Sequence, residues 1–458
     1  MSKKVLIIGL DCAAPELVFE KFLDELHNIK KMLHHGVYGK LKSCIPAITV
    51  PAWMVMMTGR DPGTLGLYGF RHKKSYSYET WTASSKSVKH KTIWDILSEK
   101  GLKSCVVGVP PSYPPKPING CMISCFITPD ATKDYTYPPE LKNELKEQFQ
   151  EYIFDVEFRT EERDKVLEQI CEMTKQHFKV VSYLIQKKEW DFFAFVEIGL
   201  DRIHHAFWKF FDKEHPKYVP NNKYENVIKE YYKYLDKEIG NLLELVDQNT
   251  IVIVVSDHGA KGMKGAFCIN QWLMKEGYLK IKDKPERGTA LEESQIDWSK
   301  TKAWGWGGYY ARIFINVEGR EPQGTVTPED YEKTLDELAE KLKQIHGPDG
   351  ETFNNKVYKP EEIYDELNGD PPDLIVYLDD LYWRSAGTVG YDTLYLSEND
   401  TGPDDAVHSE YGVFILYDPT KKSGLELQNL NILDVAPTIL KILHIPIPKE
   451  MRGKAINW

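Results

Sequence analysis

Side chains that can bind metal ions, together with one that can act as a nucleophile, are spread over almost the whole of this 458-residue chain. They are Asp11, Thr49, Asp201, His205, Asp257, His258 and His408. Asp11 directly follows an apolar run at residues 5–10, and Asp257 lies just beyond a second run at residues 251–255. Polar groups at the ends of buried strands are costly unless a partner offsets their desolvation, and a metal ion does this. The pattern therefore predicts a metalloenzyme.

Asp257 and His258 belong to the sequence Ser-Asp-His-Gly, where an apolar run ends. Gly259 lets the chain turn closely past whatever the two side chains bind. Taken alone, the motif also fits an aspartate helix cap followed by an exposed loop histidine. Two ligand-type side chains at one strand end favour the metal site.

Asp201 and His205 are four residues apart, which places them on one face of a helix about a turn apart. This spacing occurs in metal sites built on helices, and it also occurs in plain surface contacts. His204 points about 100° away from His205 on such a helix, so we expect it to be a structural histidine.

Thr49 precedes Pro51, a residue that suits the first turn of a helix. A hydroxyl there lies beside free backbone N–H groups and the positive helix end, which favour a bound phosphate. Taken alone, Thr49 also fits an ordinary helix N-cap with no role in catalysis. In the same way, His408 taken alone also fits a loop histidine that binds no metal. Threonine becomes an effective nucleophile only when a metal or base helps to remove its proton.

Short apolar runs alternate with amphipathic segments, which predicts an α/β fold with a doubly wound, mostly parallel sheet. The predicted strands are residues 5–10, 105–109, 192–196, 251–255, 311–317, 374–378 and 413–417. The predicted helices are residues 161–187, 224–246, 328–345 and a final one with Asp434 as its N-cap. Ligands in such folds gather at the carboxyl ends of the strands, where the candidate residues lie.

Two regions interrupt this alternation and are candidate insertions over the site. One covers about residues 60–90, and the other covers residues 280–310 with an aromatic cluster at 304–310. We predict a catalytic core at 1–310 and 401–458, and a smaller inserted α/β subdomain at 311–400. His408, the last candidate ligand, follows this inserted unit in the sequence.

The composition excludes several classes of protein. A net charge of −11 disfavours nucleic-acid scaffolds and polybasic membrane surfaces, so a small substrate fits better. The first apolar run is too short for a signal peptide. No apolar run in the sequence reaches the roughly 20 residues that a membrane-spanning helix needs. We expect a cytoplasmic protein whose seven cysteines are buried free thiols rather than disulfides or zinc ligands. The oligomeric state stays open.

The order of several motifs resembles the type I phosphodiesterase/nucleotide pyrophosphatase branch of the alkaline phosphatase superfamily. The motifs are Thr-Val-Pro-Ala-Trp at 49–53, Met-Thr-Gly-Arg-Asp-Pro-Gly at 57–63, the Asp201–His205 pair, Ser-Asp-His-Gly at 256–259, Asp-Val-Ala-Pro-Thr-Ile-Leu at 434–440 and Met-Arg-Gly-Lys at 451–454. Residues 114–120 and 316–324 also resemble the family. The resemblance covers nearly the whole chain and implies an alkaline phosphatase type of fold.

The resemblance implies a site with two divalent ions. Asp201, His205 and His408 would hold one ion, while Asp11, Asp257 and His258 would hold the other. Thr49 would be the nucleophile, forming a threonyl-phosphate intermediate that water then hydrolyses. The nitrogen and oxygen donors suit zinc, with manganese or iron as alternatives.

One position departs from the family pattern. Nucleotide pyrophosphatases of this branch have an asparagine that contacts phosphate after Thr-Xaa-Pro, whereas this chain has Ala52. Backbone N–H groups, Arg60 or Lys261 are candidates to replace that contact. Trp53 and the 304–310 cluster are candidates to stack a substrate ring, with core packing as the alternative.

Other functions of the same site stay open at this level. A two-metal phosphohydrolase, most readily a phosphodiesterase, is the main prediction, with phosphomonoesterase, phosphomutase and phosphonate hydrolase as alternatives. Cys44-Ile-Pro-Ala-Ile48 resembles the sulfatase motif but has Ile48 in place of its arginine. A metal-binding pseudoenzyme would lack a ligand or the nucleophile, and this chain has all of them.

Overall fold

The computed structural model describes residues 3–458 as twelve α-helices, twenty-one strands and a few short turns of 3₁₀ or π helix. The strands are β1 (Lys4–Leu10), β2 (Gly36–Lys42), β3 (Arg71–Lys73), β4 (Thr80–Thr82), β5 (Ser104–Val107), β6 (Gly120–Ile123), β7 (Thr136–Tyr137), β8 (Phe192–Glu197), β9 (Thr250–Val255), β10 (Gly259–Gly262), β11 (Gly265–Cys268), β12 (Ala303–Trp306), β13 (Ala311–Ile315), β14 (Lys356–Tyr358), β15 (Leu374–Tyr377), β16 (Trp383–Ala386), β17 (Tyr395–Leu396), β18 (Ala406–Ser409), β19 (Tyr411–Tyr417), β20 (Leu425–Glu426) and β21 (Leu430–Asn431). The helices are α1 (His27–His35), α2 (Thr49–Thr58), α3 (Pro62–Leu65), α4 (Ile93–Glu99), α5 (Leu141–Phe149), α6 (Arg163–Lys187), α7 (Gly199–Phe211), α8 (Val227–Glu244), α9 (Ile269–Lys275), α10 (Tyr331–Lys343), α11 (Pro360–Ile363) and α12 (Val435–Ile442).

Ten strands form the main sheet in the order β20-β2-β19-β9-β1-β8-β5-β6-β7, with β21 pairing with β2. The central neighbours β9, β1, β8, β5 and β6 run parallel, whereas β19 and β7 join them antiparallel. Strands buried on both faces are apolar throughout, which explains the continuous runs in the sequence. The predicted doubly wound, mostly parallel sheet is confirmed.

The alternation of side chains along β1 separates two cores, one on each face of the sheet. Leu6 and Ile8 pack into the core that includes α1, α6, α7 and α8. Val5 and Ile7 pack into the opposite core with α2, α4 and α12. A strand's side chains point alternately to its two faces, so helices cover both sides of the sheet.

The predicted helices form with slightly shorter bounds, and the end of the chain differs in one detail. Asp434 precedes α12 but makes no side-chain cap bond to that helix. Its carboxylate instead accepts hydrogen bonds from the backbone N–H groups of Asn431, at 3.2 Å, and Lys454, at 2.7 Å. This aspartate therefore fastens the C-terminal segment to the start of α12.

A second sheet has its own apolar core. It is antiparallel in the order β12-β13-β15-β14 and packs with α10. The runs at 311–317 and 374–378 lie here and not in the main sheet, since strand runs alone do not show which sheet they join. The subdomain bounds 311–400 stay a prediction. In the 60–90 region, β3 and β4 form a hairpin.

The cysteines differ from the expectation of buried free thiols at one pair and at Cys171, which is exposed. Cys105 of β5 and Cys121 of β6 are direct partners in the parallel ladder, and the structure joins them in a disulfide. Cys12, Cys44, Cys125, Cys171 and Cys268 are free thiols. No helix within residues 3–458 has the length and hydropathy that crossing a membrane requires.

Candidate metal centre

The carboxyl edge of the main sheet carries the candidate ligands. Asp11 follows β1 directly, and Asp257 and His258 lie two and three residues after β9. The next strand, β8, leads into α7, which presents Asp201 and His205 one turn apart. Because β9, β1 and β8 are parallel neighbours, these side chains converge at one point of the edge.

A small ladder brings the late residue His408 to the same place. β18 pairs antiparallel with β10, and His408 lies opposite Ala260, two residues after His258. The His258 and His408 rings then stack with their centroids 3.8 Å apart. This pairing joins parts of the chain about 150 residues apart in sequence, and a ladder between antiparallel strands fixes their register.

The six candidate metal ligands form two adjacent groups. In the first, His205 Nε2 lies 3.2 Å from Asp201 Oδ1, and His408 Nε2 lies 3.8 Å from the same oxygen. Potential ligand atoms of Asp201, His205, His408 and Cys12 all lie within 4.8 Å of one another. Cys12 is the member that the sequence did not indicate.

In the second group, His258 Nε2 lies 3.2 Å from Asp257 Oδ2 and 3.8 Å from Asp11 Oδ1. All three side chains are fully buried. Thr49 is the first residue of α2, behind an N-cap at Ile48, and its hydroxyl lies 3.4 Å from His258 Nε2. The candidate nucleophile is thus beside the second group and at the positive end of a helix.

Unpartnered polar atoms show that the two groups fit metal ions. Asp11 Oδ1, Asp257 Oδ2 and His408 Nε2 are buried and have no hydrogen-bond partner. Buried polar atoms are almost always satisfied, so these three need a partner of another kind. Carboxylate oxygens and imidazole nitrogens at these distances form a donor set typical of zinc and related divalent ions.

The electrostatics of the protein alone agree with this interpretation. Burial and the neighbouring carboxylates raise the pKa of Asp11 well above its usual value, and burial raises that of Asp257 as well. Burial and the His258 charge hold the pKa of His408 well below its usual value. A divalent cation would reverse this penalty for the carboxylates by supplying the missing positive charge.

Three imidazoles have their Nδ1 atoms occupied, which turns their Nε2 atoms toward the groups. His258 Nδ1 contacts the Gly259 carbonyl at 3.1 Å, and His408 Nδ1 contacts the Ala47 carbonyl at 3.0 Å. His205 Nδ1 lies 2.7 Å from the Asp404 carboxylate. A carbonyl or carboxylate on one ring nitrogen places the proton there and leaves the other nitrogen free to bind metal.

Comparison with known proteins agrees with this geometry. A family model described as type I phosphodiesterase/nucleotide pyrophosphatase matches residues 5–404. The chain belongs to this family. Membership indicates a hydrolase of the phosphodiesterase or pyrophosphatase kind. No curated protein sequence matches the chain at a significant level.

Solved structures of ectonucleotide pyrophosphatase/phosphodiesterase 5 share the fold. The human protein has a TM-score of 0.57 at 15% identity, covering 99% of this chain and 97% of that one. The murine protein has a TM-score of 0.56 at 14% identity, covering 97% and 96%. An inactive form of the murine protein in complex with AMP has a TM-score of 0.56 at 13% identity, with the same coverage. The predicted alkaline phosphatase type of fold is confirmed.

Trp53, which was a candidate to stack on a substrate ring, lies beneath the site. Its ring is fully buried, and its Nε1 donates a hydrogen bond of 2.7 Å to Asp11 Oδ2. A ring with no exposed surface offers no face to a substrate. The contact instead fixes the orientation of a candidate ligand, as partners of ligands commonly do.

Arg60 and Lys261, the two candidates for replacing the asparagine, lie away from Thr49. Arg60 lies two residues beyond the end of α2, whose ten residues span about 15 Å at 1.5 Å per residue, whereas Thr49 is the first residue of that helix. Lys261 lies over the Tyr382 ring at 4.0 Å and donates to the Asp380 carbonyl. Opposed residues of a ladder share a face, so Lys261 points away from the side of β10 that His408 faces.

His204, expected to be structural, is fully buried among aromatic rings. Its ring centroid lies 5.2 Å from that of Trp208 and 5.6 Å from that of Tyr232. Burial lowers its pKa to about 3, so it is neutral. This histidine belongs to neither group of candidate ligands within the described chain.

Two side chains at the site were not predicted from the sequence to contact the ligands. Asp404 bonds His205 across 199 residues and also pairs with Arg384, at 2.8 Å, and Arg159, at 3.2 Å. Tyr309, from the 304–310 cluster, stacks on His408 with centroids 3.8 Å apart. Trp304, another member of that cluster, is instead buried in the apolar core of the second sheet.

Proposed function

We propose that this protein is a two-metal phosphodiesterase in which Thr49 is the nucleophile. The observation that carries the proposal is the position of the Thr49 hydroxyl, 3.4 Å from His258 Nε2 and beside buried, unpartnered carboxylate oxygens. Asp201, His205 and His408 would hold one ion, and Asp11, Asp257 and His258 would hold the other. Zinc suits these donors, with manganese or iron as alternatives.

When bound, the ions would supply charge that stabilises the attacking and departing oxygens of an in-line displacement. The chain supplies the nucleophile and its orientation. Thr49 loses its proton to solvent, its oxygen bonds to phosphorus, and the bond from phosphorus to one alcohol oxygen breaks. That alcohol leaves with a proton from solvent. Water then adds its hydroxyl group to phosphorus and returns a proton to the Thr49 oxygen as the bond between that oxygen and phosphorus breaks, which releases the phosphate monoester.

Surrounding residues prepare Thr49 for this role. The helix α2 is buried along its whole length, so its first turn is held rigidly against the sheet. The free N–H groups of that turn and the helix dipole favour a negative phosphoryl group beside the hydroxyl. Rigid placement of a nucleophile removes much of the entropic cost of reaching the transition state.

Activities of the same site on other phosphorus compounds remain alternatives. A phosphomonoesterase, a phosphomutase and a phosphonate hydrolase would use the same ions and nucleophile. Ala52 argues against a plain nucleotide pyrophosphatase, although one structural relative binds AMP. A metal-binding pseudoenzyme is disfavoured because the nucleophile and all six ligands are present.

The test compares Thr49→Ala with Thr58→Ala at the other end of the same helix. The Thr58 hydroxyl donates to the Met54 carbonyl and lies outside the site. Hydrolysis of bis(p-nitrophenyl) phosphate should fall by about three orders of magnitude in Thr49→Ala, with unchanged metal content, as for a lost nucleophile. Thr58→Ala should stay near the parent. Parent-like activity in Thr49→Ala would overturn the assignment. Mono-, di-, nucleotide and phosphonate esters, run in parallel, separate the alternatives.

A further inference from the structure

Tyr309 brings a phenol hydroxyl to the first group of candidate ligands. Its oxygen lies 3.2 Å from His205 Nε2, and its ring stacks on His408. The Arg384 guanidinium lies over the same ring, 4.3 Å from the centroid. Tyr309 is half-buried. The ring is thus fixed between an imidazole and a guanidinium, with its polar end at the metal centre.

The backbone on either side of Tyr309 is anchored. Gly308 and Ser385 exchange two hydrogen bonds, of 2.8 and 2.9 Å. Gly307 lies so close to β16 that an added Cβ would stand 2.4 Å from the Ser385 carbonyl oxygen. On the other side, the Tyr310 hydroxyl donates to the Tyr68 carbonyl at 2.5 Å. A side chain held from both flanks is preorganised, as groups that contact a substrate need to be.

The neighbours of the Tyr309 hydroxyl determine the direction of its proton. Arg159 Nη2 donates to the phenol oxygen at 2.8 Å, and Arg159 Nε pairs with Asp404. The phenol proton therefore points away from Arg159. The Nδ1 atom of His205 faces Asp404, so Nε2 is the atom of this imidazole that can bind a metal ion. A metal ion at Nε2 would occupy its lone pair, and the Tyr309 hydroxyl would then need another acceptor.

We propose that Tyr309 donates its hydrogen bond to a phosphoryl oxygen of the substrate, with Arg159 as a positioning residue. This inference rests on the proposed function. Ala52 has no donor side chain and is fully buried, so it offers no side-chain hydrogen bond to a phosphoryl oxygen. Of the two charged candidates, Arg60 lies beyond the far end of α2 and Lys261 is bound to another loop. Tyr309 supplies a directed donor at the first metal site.

Tyr309→Phe tests the proposal because it keeps the stacked ring and removes only the hydroxyl. Tyr310→Phe is the matched control, with the same atom removed one residue later and no contact with the candidate ligands. For the zinc-loaded chains we would measure kcat/KM for bis(p-nitrophenyl) phosphate, the dissociation constant of inorganic phosphate by calorimetry, and bound zinc per chain.

The expected result is a loss of about tenfold or more in both kcat/KM and phosphate affinity for Tyr309→Phe, with zinc unchanged, as for a lost oxyanion donor. Tyr310→Phe should keep parental values and lose only thermal stability. A loss of phosphate affinity smaller than about tenfold would overturn the proposal, because a hydrogen bond to a charged group is worth about tenfold or more. Loss of zinc from Tyr309→Phe would also overturn it, by making Tyr309 a support of the metal.

The calorimetric measurement separates this proposal from the proposed function. If the parent hydrolysed no phosphate ester, the proposed function would fail, whereas phosphate binding would still report on the Tyr309 contact. If the parent were active and Tyr309→Phe bound phosphate like the parent, only the Tyr309 proposal would fail. Arg159→Lys should lower phosphate affinity less than Tyr309→Phe does, since lysine retains the charge but not the planar pair of donors.

Discussion

Asp404→Asn should weaken metal binding at the first site without touching a candidate ligand. The Asp404 carboxylate is fully buried and lies 2.7 Å from His205 Nδ1 and 2.8 Å from Arg384 Nη1. Although burial raises it, the charges of His205 and Arg384 hold the pKa of Asp404 well below its usual value. The carboxylate is therefore ionised, and it makes the His205 imidazole a better ligand.

The magnitude follows from what an asparagine keeps and loses. An isosteric amide retains the shape but not the negative charge, and the Ala406 carbonyl, 3.1 Å from His205 Nδ1, remains as a second acceptor. Loss of such a partner lowers metal affinity by about 10- to 100-fold, and the remaining carbonyl favours the lower end. A tenfold loss is about 1.4 kcal/mol of binding free energy. Leaving Arg384 without its buried counter-charge should cost about 3 kcal/mol of unfolding free energy.

The assay is competition for zinc between the protein and a chromophoric chelator, with Asp405→Asn as the control. Asp405 is the next residue, is equally buried, and its carboxylate oxygens have no hydrogen-bond partner. Burial raises its pKa to about 7 although Arg163, Lys209 and Lys217 lie 3.4–3.8 Å from it, so the amide replaces a carboxyl that is partly protonated near neutral pH and that contacts no candidate ligand. The reasoning would be refuted if both variants bound zinc equally, or if Asp404→Asn stayed within about threefold of the parent.

Three further predictions concern the donor to Asp11, the metals and a buried histidine. Trp53→Phe removes the 2.7 Å bond to Asp11, and the same chelator assay should give about tenfold weaker zinc binding; unchanged affinity would contradict the role of the indole. Removing the metals should lower the unfolding free energy by about 5 kcal/mol relative to the chain at zinc 100-fold above both dissociation constants, since each of two sites contributes about 2.7 kcal/mol. Calorimetry measures this difference, and equal stability would contradict specific sites. His72 accepts a hydrogen bond from the Tyr68 N–H, and burial lowers its pKa to about 3. Below about pH 6.5 the unfolded chain therefore binds a proton at this histidine that the folded chain does not bind, so the folded state loses stability as the pH falls. Between pH 6.5 and 5, denaturant titrations should show that the unfolding free energy of the parent falls by about 2 kcal/mol more than that of His72→Phe. Equal slopes for the two proteins would contradict this.

The main sheet was predictable because its strands are buried on both faces. Runs such as residues 5–10 and 251–255 are apolar throughout, and ligand-type residues follow them, so the strand ends were visible in the sequence. The assignment of β13 and β15 to a second sheet was not visible, because an apolar run is the same in either sheet. Pairing between distant strands depends on tertiary contacts that no local pattern contains.

The contacts around the ligands were harder to predict from the sequence for the same reason. Asp404 and Tyr309 contact His205 from positions 199 and 104 residues away. Asp404 stands in no distinctive motif, and the 304–310 aromatic cluster that contains Tyr309 indicates ring stacking rather than a contact with His205. Trp53 was noticed for its ring, but its effect on the site comes from its N–H group. The Cys105–Cys121 pair depends on the register between β5 and β6, which the sequence does not specify.

The central claim, two metal ions at two distinct groups of ligands, is tested most directly by native mass spectrometry of the metal-free chain titrated with zinc. The parent should bind two ions per chain. Asp201→Ala should bind one, because only the group of Asp11, Asp257 and His258 remains complete. A parent that binds a single ion or none, or an Asp201→Ala variant that still binds two with parental affinity, would contradict the account.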